Sequence, residues 1–265
     1  MPRDIMHIIC FLAVASLLTC VCAGGPPRLT FYGLEILPGA PITKFESTLL
    51  VPSVTPDQDP KSVQGLRSMW PGLEPQPVSA LFQNVLSNLN QAPHVTENNA
   101  WYFFPYWCCA PAMDLVGNRV RLFPGDLLQN TYQWNSETKD WYQNWVVQPG
   151  KQGHRGGVEP LGGGLITDGH FDTKYTEEKW PPMVKALLDI EVQGEGKWDF
   201  GPVEWRNVLV EAQTKETSWC TEMWPEQEEQ LPNDENPADR DGQSQHKLND
   251  MLCSIHNFPR DELVL

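Results

Sequence analysis

The sequence predicts an all-β protein, an antiparallel two-sheet β-sandwich or jelly roll, on three observations. About ten or more short apolar or aromatic runs are bounded by turn residues, as expected for many short strands. Turn formers and aromatics are abundant, with 20 Gly, 24 Pro and 11 Trp among 265 residues. Several of the runs alternate apolar and polar residues, the two-residue period of a strand with one buried face. The length suits one large β domain or two smaller ones.

Residues 1–23 read as a secretory signal peptide. Arg3 supplies a positive start, Ile8 to Val21 an apolar core, and Val21-Cys22-Ala23 a small-residue cleavage pattern. The apolar run is short for a membrane span. The expectation is a secreted, extracellular protein with no membrane contact after cleavage. A sandwich domain over residues 24–220 and an acidic, largely disordered tail over 221–265 complete the expected organisation. Cys108, Cys109, Cys220 and Cys253 remain after the signal, an even number in an oxidising compartment, so disulfides are expected with the pairing open. The net charge of −15 argues against nucleic acid or an anionic membrane as partner. Eight acids fall between Glu222 and Asp241, a run expected to be solvated.

Leu29 to Leu37 reads as the first strand and Ile42 to Val51 as the second, separated by Pro38-Gly39-Ala40-Pro41. Leu66 to Trp70 is a short strand ended by a Trp70-Pro71-Gly72 turn. The next strand, Ala80 to Leu86, puts Leu81, Gln83 and Val85 on one face. Ala100 to Ala110 is dense in aromatics, and Pro105 marks an edge or a bulge because it cannot donate to a ladder. Val116 to Leu122 and Asp126 to Trp134 flank a Pro124-Gly125-Asp126 turn, and Trp141 to Val147 returns after a hairpin loop. Gly150 to Gly169 is expected as a glycine-rich loop. Lys185 to Val192 fits helix and strand; the flanking prolines and Gly194 favour a strand, with Asp189 and Glu191 opposite Leu188 and Ile190. Phe200 to Ala212 is a further strand. Beyond Thr221 the only expected element is a short helix at Gln245 to Ile255.

Gln83 is the first candidate site residue, since an amide among apolar neighbours is costly to desolvate without a partner or a task. No Gly-x-Ser-x-Gly nucleophile motif is present. No His or Cys pair has metal-ligand spacing, so neither metal nor cofactor is expected.

The order of motifs resembles the secreted fungal glutamic peptidases, the eqolisins, within the concanavalin A-like lectin and glucanase folds. Trp70-Pro71-Gly72-Leu73-Glu74 is similar to that family's Trp-x-Gly-Ile-Asp element, and Leu81-Phe82-Gln83-Asn84-Val85 to its glutamine strand. Trp101 to Trp107 stands for a Trp/Tyr-rich strand and Gly125-Asp126 for a turn before a long hairpin. Ala186-Leu187-Leu188-Asp189-Ile190-Glu191 resembles the strand that carries a catalytic glutamate. Phe200-Gly201-Pro202-Val203-Glu204-Trp205 resembles the strand after it. The similarity spans most of residues 29–213. It departs from the family in the aromatic strand, which lacks a glutamate, and at Glu74, where the family has Asp.

The resemblance implies a concanavalin A-like jelly roll and an acid endopeptidase. Glu191 would be the general base on water and Gln83 the oxyanion donor, with Trp70 and Glu74 in support. An extended peptide, or a polysaccharide, would lie in a concave sheet face. Two other readings stand beside it. One is a non-catalytic secreted binding protein or inactive relative, using aromatics such as Trp101, Tyr102, Trp141 and Trp145. The other is a glucanase-type glycosidase built on Asp189, Glu191 and Glu195, in which the Asp and Glu order of the usual pattern is exchanged.

Overall fold

A computed structural model of the chain describes residues 29–53, 66–76, 81–88, 101–108, 114–115, 119–158, 175–176, 181–194, 198, 200–220, 224–230 and 246–255. For 114–115, 175–176, 224–230 and 246–255 only the backbone is described. The expected signal peptide, Glu195 and Gly162-Gly163-Gly164 lie outside these residues, as do the side chains of Cys109 and Cys253.

Among the described residues the strands are β1 (Leu29–Ile36), β2 (Ile42–Leu50), β3 (Arg67–Pro75), β4 (Leu81–Ser87), β5 (Trp101–Cys108), β6 (Asp114–Leu115) and β7 (Val120–Leu122). They continue as β8 (Leu127–Asn135), β9 (Asp140–Gln148), β10 (Tyr175–Thr176), β11 (Met183–Gln193), β12 (Val203–Ala212), β13 (Trp224–Gln230) and β14 (His246–Ile255). One short helix, α1 (Lys151–Arg155), and a 3-10 turn at Ser218–Cys220 complete the set. The first sheet runs β13-β1-β11-β3-β4-β5-β6, with β7 also paired to β5; the second runs β10-β9-β8-β2-β12-β14. The pairing is antiparallel throughout, apart from the parallel pair β12 and β14. The expected two-sheet sandwich is therefore the fold.

Alternation builds the core. Along β9, Trp141, Gln143, Trp145 and Val147 point inward in strict succession. Phe45 of β2 stacks on Tyr132 of β8 at 5.8 Å and 12°, and Phe103 of β5 meets Trp145 at 4.4 Å. Each such side chain contributes roughly 1.5–3 kcal/mol by leaving water. Gln143 is the exception in this row, and its burial is matched by bonds. Its Nε2 donates to the Gln83 carbonyl at 2.8 Å and to Asn84 Oδ1 at 2.9 Å. Its Oε1 accepts from Trp107 Nε1 at 3.0 Å. Asn84 Nδ2 in turn donates to the Asn144 carbonyl at 3.1 Å. The two sheets are thus tied by a polar bridge inside an apolar layer, with its donors and acceptors paired.

Several elements differ from the expectation. Trp70-Pro71-Gly72 is not a turn: β3 runs straight through it, inside the sheet between β11 and β4. The β3–β4 pairing is broken where proline lacks its N–H, between Met69↔Leu86 and Gly72↔Gln83. Tyr132, from the opposite sheet, fills that break. Its hydroxyl donates to the Pro71 carbonyl at 2.8 Å, and the Asn84 backbone bonds the same phenol. Burial pushes the Tyr132 phenol well above its ordinary range. Pro105 is also inside the first sheet, but β7 pairs only Trp101 to Phe103 and β6 only Tyr106 and Trp107. The proline sits opposite the gap between them, where no ladder donor is required.

The stretch expected as a strand over Val116 to Leu122 shortens to β7. The glycine-rich segment opens with α1. In the tail, which was expected to be disordered, β13 pairs β1 and β14 pairs β12; the expected helix at Gln245 to Ile255 is a strand.

Asp126 welds three connections. Its carboxylate accepts from Phe123 N at 2.8 Å and Gly150 N at 2.7 Å, while its carbonyl accepts from Val51 N at 2.9 Å. Burial raises its pKa above the ordinary value of 3.8, opposed by the Phe123 and Gly150 amides, by His154 and by the Gly153 amide. A raised folded pKa means stability is highest below the unfolded value and is lost as pH rises through the folded one. The stability gap between wild type and Asp126→Asn should therefore shift in favour of wild type on acidification through this window. Urea titrations at stepped pH measure it, and a gap moving the other way contradicts the assignment. Tyr132→Phe keeps the ring but removes the donor to Pro71. It should cost about 1–3 kcal/mol in denaturant unfolding, the loss typical of an unsatisfied buried polar group.

Candidate functional site

The outer face of the first sheet carries the residues nominated by the sequence. Along β11, Ala186, Leu188, Ile190 and Val192 face the core, so Lys185, Leu187, Asp189 and Glu191 face outward. A second apolar cluster lies on this outer side: Trp70, Val85, Phe104 and Leu187, with Phe31, Leu81 and Tyr106 packed against it. Antiparallel register orders the face into lines that cross the strands. Glu191 is level with Phe31 of β1 and Ser68 of β3, and Ser68 is level with Ser87 of β4, Tyr102 of β5 and Arg121 of β7. Asp189 is level with Gly33 and Trp70. Leu187 is level with Gly72, Gln83 and Tyr106.

Glu191 is half-buried and held at both oxygens. Trp70 Nε1 donates to Oε2 at 3.1 Å, Ser68 Oγ lies 3.5 Å from the same oxygen, and Gln193 Nε2 donates to Oε1 at 2.5 Å. Trp70 and Glu191 are 121 residues apart in the chain, and the continuous run of β3 through Pro71 is what sets the indole beside the carboxylate. Asp189, two residues before Glu191 on the same face, is 2% exposed. Its carboxylate lies over Gly33, where a β-carbon would overlap Oδ1.

Two of the four nominated residues are therefore in contact, Trp70 and Glu191. Gln83 shares the face and is buried, but its line lies four residues along β11 from Glu191 and two strands away. At about 3.3 Å per residue and 4.8 Å per strand the backbones are about 16 Å apart. Glu74 is also elsewhere: it accepts from Lys185 Nζ at 3.2 Å, and Lys185 reaches Glu35 at 2.6 Å. Burial pulls the Lys185 ammonium down, but Glu35 and Glu74 more than offset it and leave its pKa raised. The amide beside Glu191 belongs to Gln193, which the sequence reading did not single out. The signal was present, since Asp189, Glu191 and Gln193 follow one strand face at two-residue spacing.

The arrangement offers a half-exposed carboxylate, fixed by an indole, a hydroxyl and an amide, beside a buried second carboxylate and an apolar strip. Such a group can take a proton from water or bind a cation. Among the described residues no three metal-ligating side chains converge. No protein-family model and no curated protein matches the chain.

The contact between Gly33 and Asp189 makes a local prediction. Gly33→Ala should destabilise the fold by about 1–3 kcal/mol, the usual range for overpacking. Combining it with Asp189→Ala should cost less than the sum of the two single changes, as read by thermal unfolding of the four proteins.

Proposed function

We propose that the chain is a secreted, glutamate-centred acid endopeptidase of the eqolisin-like kind, with the outer face of the first sheet as its substrate face. The observation that carries this reading is the hydrogen bond between Trp70 and Glu191. The resemblance nominated both residues, 121 positions apart in the chain, and they meet between the adjacent strands β3 and β11 on the outer face. Residues 1–23 would direct export.

In this mechanism a water molecule sits on the Glu191 carboxylate. Glu191 takes one proton as the water oxygen attacks the scissile carbonyl carbon. Collapse of the tetrahedral intermediate breaks the C–N bond as Glu191 returns its proton to the leaving nitrogen. Trp70 and Ser68 hold Oε2, so the carboxylate presents a fixed edge. Gln193 takes the amide role first expected of Gln83, because its nitrogen already reaches Glu191 while Gln83 is about 16 Å away between backbones. Gln83, level with Tyr106 and Gly72, belongs to the floor on which the substrate chain lies.

Release of peptides from a denatured protein at acid pH tests the assignment. Glu191→Gln should abolish most turnover, and Gln193→Ala should lower it by about 10²–10³, the usual cost of one positioned amide donor. Gln83→Ala should retain most of it. Full activity in Glu191→Gln overturns the proposal. The separation of Gln83 from Glu191 favours a second reading, a non-catalytic binder of extended peptide or polysaccharide; ligand retention without any turnover would select it. Release of reducing ends from β-glucan, lost in Asp189→Asn, would select a glycosidase instead.

A further inference from the structure

The inner face of the second sheet carries a second group of buried polar side chains, apart from the Gln143 bridge. Antiparallel register puts Ser47 of β2, Asn130 of β8 and Trp145 of β9 on one line across three neighbouring strands. By alternation all three point between the sheets. Ser47 lies between Phe45 and Leu49 of the core, Asn130 between Leu128 and Tyr132, and Trp145 between Gln143 and Val147. They are 2%, 1% and 3% exposed. Each carries a buried polar atom with no hydrogen-bond partner among the described protein atoms: Ser47 Oγ, Asn130 Oδ1 and Trp145 Nε1. The Asn130 amide is oriented from its other end, because Nδ2 donates to the Leu128 carbonyl at 3.2 Å and to the Ser47 carbonyl at 3.5 Å. Three such atoms on one line run against the near-complete pairing of buried polar groups.

Their chemistry defines the missing partner. An indole N–H only donates, an amide oxygen only accepts, and a hydroxyl does either. One partner for all three must therefore accept one hydrogen and donate another. A bare cation cannot accept, and an anion without hydrogen cannot donate, so the partner is a neutral molecule. It is also small. Phe45 and Tyr132 on one side of the line, and Leu49, Leu128 and Val147 on the other, are fully buried and close it from solvent. Phe103 covers Trp145 from the facing sheet at 4.4 Å. Ser47 is smaller than Phe45 or Leu49 by more than the volume share of a water, about 30 Å³. Facing side chains on neighbouring strands stand about 4.5–5.5 Å apart at Cβ. A water with partners about 2.8 Å away on either side bridges a span of that size.

We propose that Ser47, Asn130 and Trp145 form the binding site of one internal water molecule. The water accepts from Trp145 Nε1, donates to Asn130 Oδ1 and shares its third bond with Ser47 Oγ. About three bonds are usual for a buried water. It joins β2, β8 and β9 across their inner faces, as Gln143 joins the two sheets, and it is independent of the chemistry proposed for the outer face.

A high-resolution crystal structure of the full chain tests the site. Its map should show a solvent peak within about 3.2 Å of all three atoms. In solution, the Trp145 indole hydrogen should give a cross-relaxation peak with long-lived water. Ser47→Val sets a methyl group where the water would stand. It should remove the solvent peak and lower by one the number of long-lived waters counted by oxygen-17 relaxation dispersion. A wild-type map without solvent on this line, or with the three side chains bonded directly to one another, overturns the proposal. An unchanged count of long-lived waters in folded Ser47→Val overturns it as well. If Ser47→Val does not fold, the wild-type indole–water peak decides, and its absence overturns the site.

Discussion

A phenol from one sheet completes a hydrogen-bond ladder in the other, and the geometry of the site follows from it. Pro71 would ordinarily end a strand or bend it, because it has no N–H to give to a neighbour. The Tyr132 hydroxyl bonds the Pro71 carbonyl and the Asn84 backbone, so β3 continues without a turn. Because β3 is straight, Ser68 and Trp70 fall on one face at successive outward positions. Because β11 pairs with that straight strand, Glu191 falls level with Ser68 and within reach of the indole. The same phenol pins the distance and slide between the sheets, since one bond to a backbone carbonyl tolerates little displacement.

The Asn84 and Gln143 amides extend this constraint. Replacing them with apolar residues of like shape would be nearly neutral in area alone, so hydrophobic burial does not explain them. Their value is directional. Gln143 reaches the Gln83 carbonyl, the Asn84 side chain and the Trp107 indole together, and that combination exists in one register of β9 over β4 and β5. A slip by one residue would bring Tyr142 or Asn144 to the inner face and leave the bridge unpaired. Aromatic packing such as Phe103 on Trp145 supplies affinity between the sheets, while the amides select the alignment.

Strand identity was legible where alternation was strong. The β2 and β9 sequences state their inward faces residue by residue, and the KALLDIEV stretch resolves as a strand because its flanks leave no room for a helix. Local rules failed where a partner remote in sequence overrode them. Nothing near Pro71 announces that Tyr132, 61 residues later, will cover its missing donor. The β13 and β14 strands were missed for a related reason: the acidic WPEQEEQ and the weakly alternating HKLNDMLCSI pair here by adding to existing edges, β1 and β12. For the candidate site, the resemblance nominated Gln83, Glu191, Trp70 and Glu74 but carried no register, and register decides which amide stands beside the glutamate.

That last point carries a general consequence for reading such faces. Two residues on one side of a sheet meet only if they are within about one outward position along the strands and one strand across them, because each step of two residues along a strand moves about 6.6 Å while each strand crossed moves about 4.8 Å. Gln83 and Glu191 share a face but lie two outward positions and two strands apart. Gln193 does meet Glu191, since it lies on the same strand only one outward position on. Tyr102 and Arg121, 89 and 70 positions distant in the chain, share the Glu191 line but stand three and four strands away from it. A ligand that crosses the strands samples a line, not a strand. Its chemistry is then set by what each successive strand contributes at that level: a carboxylate on β11, hydroxyls on β3 and β4, a phenol on β5 and a guanidinium on β7.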